Sequence, residues 1–117
     1  MRAKKEWSPT EKSTLKTIRD GLRALGKRCY INRNQQGLGC DPGRPDLEGS
    51  MRIMGLGRHF GIEVKAPTGK LSTHQQAHRQ AILDAGGIFI EAHSWEDVVM
   101  GFEQVGFPLP FQGRLTG

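Results

Sequence analysis

The stretch Arg58–Lys65 constrains the fold of this chain more than any other. Phe60, Ile62 and Val64 alternate with Gly61, Glu63 and Lys65, the two-residue period of a β-strand. Strand side chains project to alternate faces, so Phe60, Ile62 and Val64 share a face directed into a core. Glu63 and Lys65 share the other. Pro67 and Gly69 then turn the chain, and Ser72-Thr73-His74-Gln75 is a capping-box signature for a helix running to about Ala85. Gly86-Gly87 stops that helix, and Ile88-Phe89-Ile90 is a short buried strand.

Earlier in the chain, Ser8-Pro9-Thr10-Glu11 is a second capping-box signature, with proline suited to the first turn. Leu15, Ile18, Leu22 and Leu25 recur at helical spacing and form an apolar stripe. Lys12, Lys16, Arg19, Arg23 and Lys27 form a basic stripe on the same helix, which Gly26 can end. Arg28–Arg33 reads as a short strand. Residues 34–43 are a Gly/Asn/Gln-rich loop. Asp46–Met54 is a further strand, weakened by Gly49 and Ser50. Gly55-Leu56-Gly57 reads as a hairpin turn, so that positions summing to about 112 oppose each other. Ser94 caps a third helix carrying Trp95, Val98, Val99 and Phe102, and 106–117 reads as an irregular tail. The expected order is α-β-β-β-α-β-α in one α/β domain over 1–117, with its core at about 8–105.

At 117 residues and 36% hydrophobic composition the chain can bury one modest core. No stretch approaches a transmembrane length, and Met1–Thr10 has no apolar run of a secretory signal. Cys29 and Cys40 lack metal-ligand spacing and read as free thiols of a reducing cytoplasm. Residues 1–33 hold ten Lys/Arg against three acids, and the remainder seven against nine, giving the net +5. A basic first third suggests a face for phosphate, most simply that of a nucleic acid.

The hairpin brings Asp46, just after Pro45, beside Lys65 and Ala66 and within reach of Glu63. Two carboxylates so close repel unless a cation lies between them. Oxygen-only ligands suit Mg²⁺ or Mn²⁺, with waters and a phosphate completing the shell. Asp46 and Glu63 are thus candidate metal ligands, with the Val64 carbonyl as an extra one. Lys65 is a candidate to orient a water or offset charge. Gln75 either closes the Ser72 capping box or holds a water or phosphate near the carboxylates. Glu11 is explained by its capping box but could also reach the metal through water. Glu48 shares the strand face of Asp46, one step further from the strand end, and is the weaker candidate. Lys70 and Arg79 are candidate phosphate contacts. His74 and His78 have i, i+4 spacing but no intervening Glu and no third soft ligand, which disfavours zinc.

Gly43-Arg44-Pro45-Asp46-Leu47, Gly61-Ile62-Glu63-Val64-Lys65 and Leu71-Ser72-Thr73-His74-Gln75 together resemble the PD-(D/E)XK nuclease superfamily. Within it the chain is most similar to the VRR-NUC (virus-type replication-repair nuclease) domain, from about Glu11 to Val99. The resemblance implies a restriction-endonuclease-like core, a central mixed sheet flanked by helices, and Mg²⁺- or Mn²⁺-dependent phosphodiester hydrolysis. It implies Asp46 and Glu63 as metal ligands, Lys65 as the catalytic lysine, Gln75 as the helix glutamine and Glu11 as a first-helix acid. It also implies a homodimer of bacterial or viral origin acting on branched DNA such as four-way junctions, in DNA repair. His78 departs from the bulky aromatic often found three residues after the glutamine. Alternatives are a flap-directed or restriction-type nuclease, a non-catalytic nucleic-acid-binding module using the Lys12–Lys27 stripe, and an interaction protein docking through its acidic 94–105 segment.

Overall fold

Both capping boxes form. In the computed structural model, which describes residues 7–34 and 43–109, Ser8 caps helix α1 (Pro9–Arg23) and Ser72 caps helix α2 (Thr73–Asp84). Each serine hydroxyl accepts the N–H three residues on, and the Glu11 or Gln75 side chain accepts the serine N–H in return. A single 3₁₀ turn, Gly26–Arg28, follows α1 and leads into β1 (Cys29–Arg33). The remaining elements are β2 (Leu47–Ile53), β3 (Leu56–Val64), β4 (Ile88–Ala92) and α3 (Trp95–Glu103), in the order expected from the sequence.

The strands form one mixed sheet in the order β1-β2-β3-β4. The first three are antiparallel neighbours, and β4 pairs parallel to β3 after the α2 crossover. Leu15, Ile18 and Leu22 of α1 and Val98 and Phe102 of α3 bury against Leu47, Met51, Phe60, Ile62, Val64 and Ile90. Phe60 and Phe102 meet edge-to-face at 5.5 Å between ring centres. Helices α1 and α3 touch where Gly21 meets the Trp95 ring, a place with no room for a β-carbon. Helix α2 covers the opposite face over β3 and β4, with Ile82 seated against Gly61 and Gly87. The sheet is thus covered on both sides at its β3–β4 half.

The hairpin turn differs from expectation. Met54 and Gly55, both at positive φ (53° and 82°), make the two-residue connection, and Leu56 and Gly57 already belong to β3. Two consecutive left-handed residues are the signature of the hairpin turn whose twist matches the strands. Met54 is an unusual occupant and carries no turn signal, which is why Gly55–Gly57 drew the assignment. The register consequently pairs Leu47 with Ile62, and one step further sets Asp46 opposite Glu63 rather than beside Lys65 and Ala66.

The C-terminal segment also differs. Leu109 is buried in the core and Phe107 packs edge-to-face on Phe102, so the chain remains part of the fold past Gly106. Residues 110–117, Cys40 and most of the 34–43 loop lie outside the described residues. Cys29 is a free, buried thiol, and burial pushes its pKa up to about 11, which keeps it protonated and unreactive.

Candidate active site

The loop before β2, the end of β3 and the start of α2 meet on the α2 side of the sheet. Gly43 makes that meeting possible. It sits at φ +77°, and a β-carbon there would lie 2.2 Å from the His74 carbonyl carbon and 2.5 Å from the Gln75 nitrogen. Backbone therefore touches backbone, and only glycine satisfies both the dihedral and the space. Pro45 then lies against Gly61, which likewise has no room for a side chain between Pro45 and Ile82.

Asp46 follows, 1% exposed, at the mouth of β2. Its Oδ2 accepts the Val64 N–H at 2.8 Å, and its carbonyl accepts the Asn34 N–H at 2.8 Å. Glu63 on β3 is fully buried, and its Oε2 accepts the Gln75 Nε2–H at 2.9 Å. Lys65 Nζ stands 3.8 Å from the same oxygen. Gln75 closes the capping box through Oε1, one of the two roles expected of it, while its Nε2 is taken up by Glu63 rather than by a water or a phosphate. Asp46, Glu63, Lys65 and Gln75 come together, with Val64 pinned between strands by Asp46. An exposed polar strand face, the plainest alternative for Glu63 and Lys65, is not what forms.

Two carboxylates stripped of water in one place are costly unless opposite charge and hydrogen bonds compensate. Gln75, the Val64 N–H and Lys65 supply part of that compensation. The other oxygen of each carboxylate, Asp46 Oδ1 and Glu63 Oε1, is also buried. Among the described residues no group of three or more His, Cys, Asp or Glu side chains gathers, so the acidic donors here are the Asp46–Glu63 pair. That donor set fits Mg²⁺ or Mn²⁺, which bind through one or two carboxylates and keep waters and substrate oxygens for the rest.

The other expected residues are distributed differently. Glu11 is buried in its capping box and does not complete a three-acid cluster. Lys12, Lys16, Arg23 and Lys27 are exposed and Arg19 is half-buried. Their helix packs on the sheet face opposite Glu63 and Lys65, so the basic stripe does not wall the carboxylates. Lys16 is itself engaged by Asp20 at 2.6 Å, a hydrogen bond that holds the Asp20 carboxyl below its ordinary pKa. Lys70 and Arg79 converge on one groove of about 560 Å³ with Gln76 and Glu91. Glu91 is the register partner of Glu63 across the β3–β4 pair, so this groove adjoins the carboxylates.

Glu48 is the hub of a network that sequence reasoning underrated. It accepts hydrogen bonds from Arg44 Nε (2.7 Å) and Asn34 Nδ2 (2.6 Å) and meets His59 Nε2 at 3.1 Å. Asn34 also donates to the Pro45 carbonyl at 2.7 Å, so the network clamps residues 44–46 to β1 and β3. Burial pushes the Glu48 carboxyl up, but the Arg44 and Asn34 hydrogen bonds and the Arg44 and His59 charges outweigh it and hold its pKa below the ordinary value. The signal available beforehand was parity: Glu48 shares the face of Asp46.

No protein-family model matches this chain, and no curated protein matches its sequence. No helix among the described residues is long and apolar enough to cross a membrane.

Proposed function

We propose that the chain is a divalent-metal-dependent deoxyribonuclease with a restriction-endonuclease-like core, acting as a homodimer on branched DNA. The observation that carries this reading is the convergence of Asp46, Glu63, Lys65 and Gln75 from three separate segments into one buried cluster. A purely structural role explains it poorly, because a buried carboxylate pair is an expensive way to join a strand to a helix.

Asp46 and Glu63 would hold Mg²⁺ or Mn²⁺, with the Val64 carbonyl as a further ligand. When bound, the metal supplies Lewis-acid activation of the phosphodiester. Gln75 and the Val64 N–H fix the two carboxylates, so little reorganisation is needed when a substrate arrives. Lys65, tethered by its N–H to the Ala92 carbonyl, carries an ammonium beside Glu63 that can orient the attacking water and offset charge on the phosphorus oxygens. Water adds to phosphorus, one P–O ester bond breaks, and the leaving oxygen is protonated. Lys70 and Arg79, in the adjoining groove, are suited to the phosphates flanking the scissile one.

Purified protein incubated with a labelled four-way junction, a flap and a linear duplex, with and without Mg²⁺ or Mn²⁺, tests the proposal. Metal-dependent cleavage that is lost in Asp46→Ala and Glu63→Ala is expected. Lys65→Ala should keep DNA binding and lower cleavage by at least about 100-fold. No cleavage of any substrate, or full activity in the alanine variants, refutes it. Salt-sensitive DNA binding without turnover would favour a binding module instead, a reading supported by the exposed stripe on α1.

A further inference from the structure

Helix α2 covers only half of the polar sheet face. Among the described residues nothing covers that face over β1 and β2, and the residues on it follow from the register. Tyr30 pairs with Ser50 and Ser50 with His59, so the three stand in one row across three strands. Arg52 pairs with Gly57 in the next row on the same face. All five are exposed, and Tyr30, the only tyrosine of the chain, is 68% exposed. The rings of Tyr30 and His59 are two strand spacings apart, about 10 Å. Gly57 adds no side chain to the floor between strand and solvent.

A cleft of about 260 Å³ runs along this row and ends at Arg44, two residues before Asp46. Its carboxylate, Glu48, is already engaged by Arg44, Asn34 and His59. With Arg44 and Glu48 paired and offsetting each other, exposed Arg52 leaves the open face with an excess of positive charge, which favours an anion. A flat β-surface with two spaced rings, a guanidinium at its margin and small polar side chains between them matches the needs of unpaired nucleotides. Their bases stack on rings while their phosphates seek cations. A duplex keeps its bases stacked inside and would leave the rings unused.

We propose that this open half-face is a platform for single-stranded DNA, with Tyr30 and His59 stacking bases and Arg52 meeting a phosphate, and that it leads the strand to Asp46. The last clause rests on the nuclease reading; the binding surface does not. The substrate accordingly carries an unpaired stretch next to the scissile phosphate.

The test is fluorescence anisotropy in excess chelator, so that cleavage plays no part, with an oligothymidylate of about twenty nucleotides and a blunt duplex of equal length. Tyr30→Ala should weaken oligothymidylate binding about tenfold and duplex binding less than about twofold, while Tyr30→Phe keeps wild-type affinity. An iododeoxyuridine-bearing oligonucleotide should photo-crosslink to Tyr30. Because Tyr30 is an exposed edge-strand residue, an unchanged melting curve will show that the variant is folded. Unchanged oligothymidylate affinity in Tyr30→Ala, or an equal loss for duplex and single strand, overturns the platform. A Tyr30-dependent single-strand preference in a protein that cuts nothing overturns the nuclease reading and leaves the platform standing.

Discussion

Gly43→Ala isolates the contact that joins the Asp46 loop to α2. The new β-carbon would lie 2.2, 2.4 and 2.5 Å from the His74 carbonyl carbon, the His74 oxygen and the Gln75 nitrogen. These are backbone atoms, so no rotamer change relieves them, and the helix start must retreat by about 1 Å to restore ordinary contact. Overpacking of this kind costs about 1–3 kcal/mol. The left-handed dihedral adds about 1–2 kcal/mol, offset by about 0.4–1 kcal/mol from the stiffer unfolded chain. The net expectation is a loss of about 1–5 kcal/mol. Gly26→Ala is the control: its φ is +65°, yet no atom lies within 4 Å, so only the dihedral terms apply and the loss should stay near about 1 kcal/mol. Urea titration followed by circular dichroism measures both. A retreat of the helix start also stretches the 2.9 Å bond from Gln75 to Glu63 beyond hydrogen-bonding range, so junction cleavage should fall more steeply than stability. If Gly43→Ala costs no more than Gly26→Ala, the loop is not held by this contact and the account of how the site assembles is wrong.

Other perturbations probe separate parts of the structure. Gln75→Glu preserves the capping box but replaces the donor to Glu63 with a like charge; cleavage should drop at least about tenfold while helix content is unchanged by circular dichroism. Met54→Asn relieves a positive φ at a residue 95% exposed, and should stabilise the protein by about 0.5–1 kcal/mol in urea titration. Glu48→Gln addresses acid stability. Its pKa is lower folded than unfolded, so the carboxylate contributes stability that is present above its ordinary value of 4.5 and is lost as pH falls below it. The variant's melting temperature should therefore decline less than wild type's across that acid range.

The element order, both capping boxes and the shared face of Glu63 and Lys65 were legible because each rests on short-range chemistry: serine caps and period-two alternation. The hairpin register was not, because Met54 occupies a left-handed turn position that ordinarily advertises itself as Asn or Asp. The layer of α1 was equally hidden. Its amphipathic stripe says that one side is buried, but not against which sheet face. Leu109 belongs to the core although the prolines and glycines around it read as tail, since burial there depends on where α3 ends. Asn34 and Glu48 hold the Asp46 loop through side chains fourteen residues apart, a distance that no local pattern spans.

The touch between Gly43 and the start of α2 also has a kinetic meaning. The β2–β3 hairpin is local in sequence and can bring Asp46 opposite Glu63 early in folding. Gln75 joins only when α2 docks and the Gly43 backbone closes on it. That closure rests on a few atoms at the sheet margin rather than on the core, so it can open while the strands stay paired. Amide exchange at the start of α2 should then be faster than in β3, and the rate of that opening sets how readily the carboxylates are unveiled.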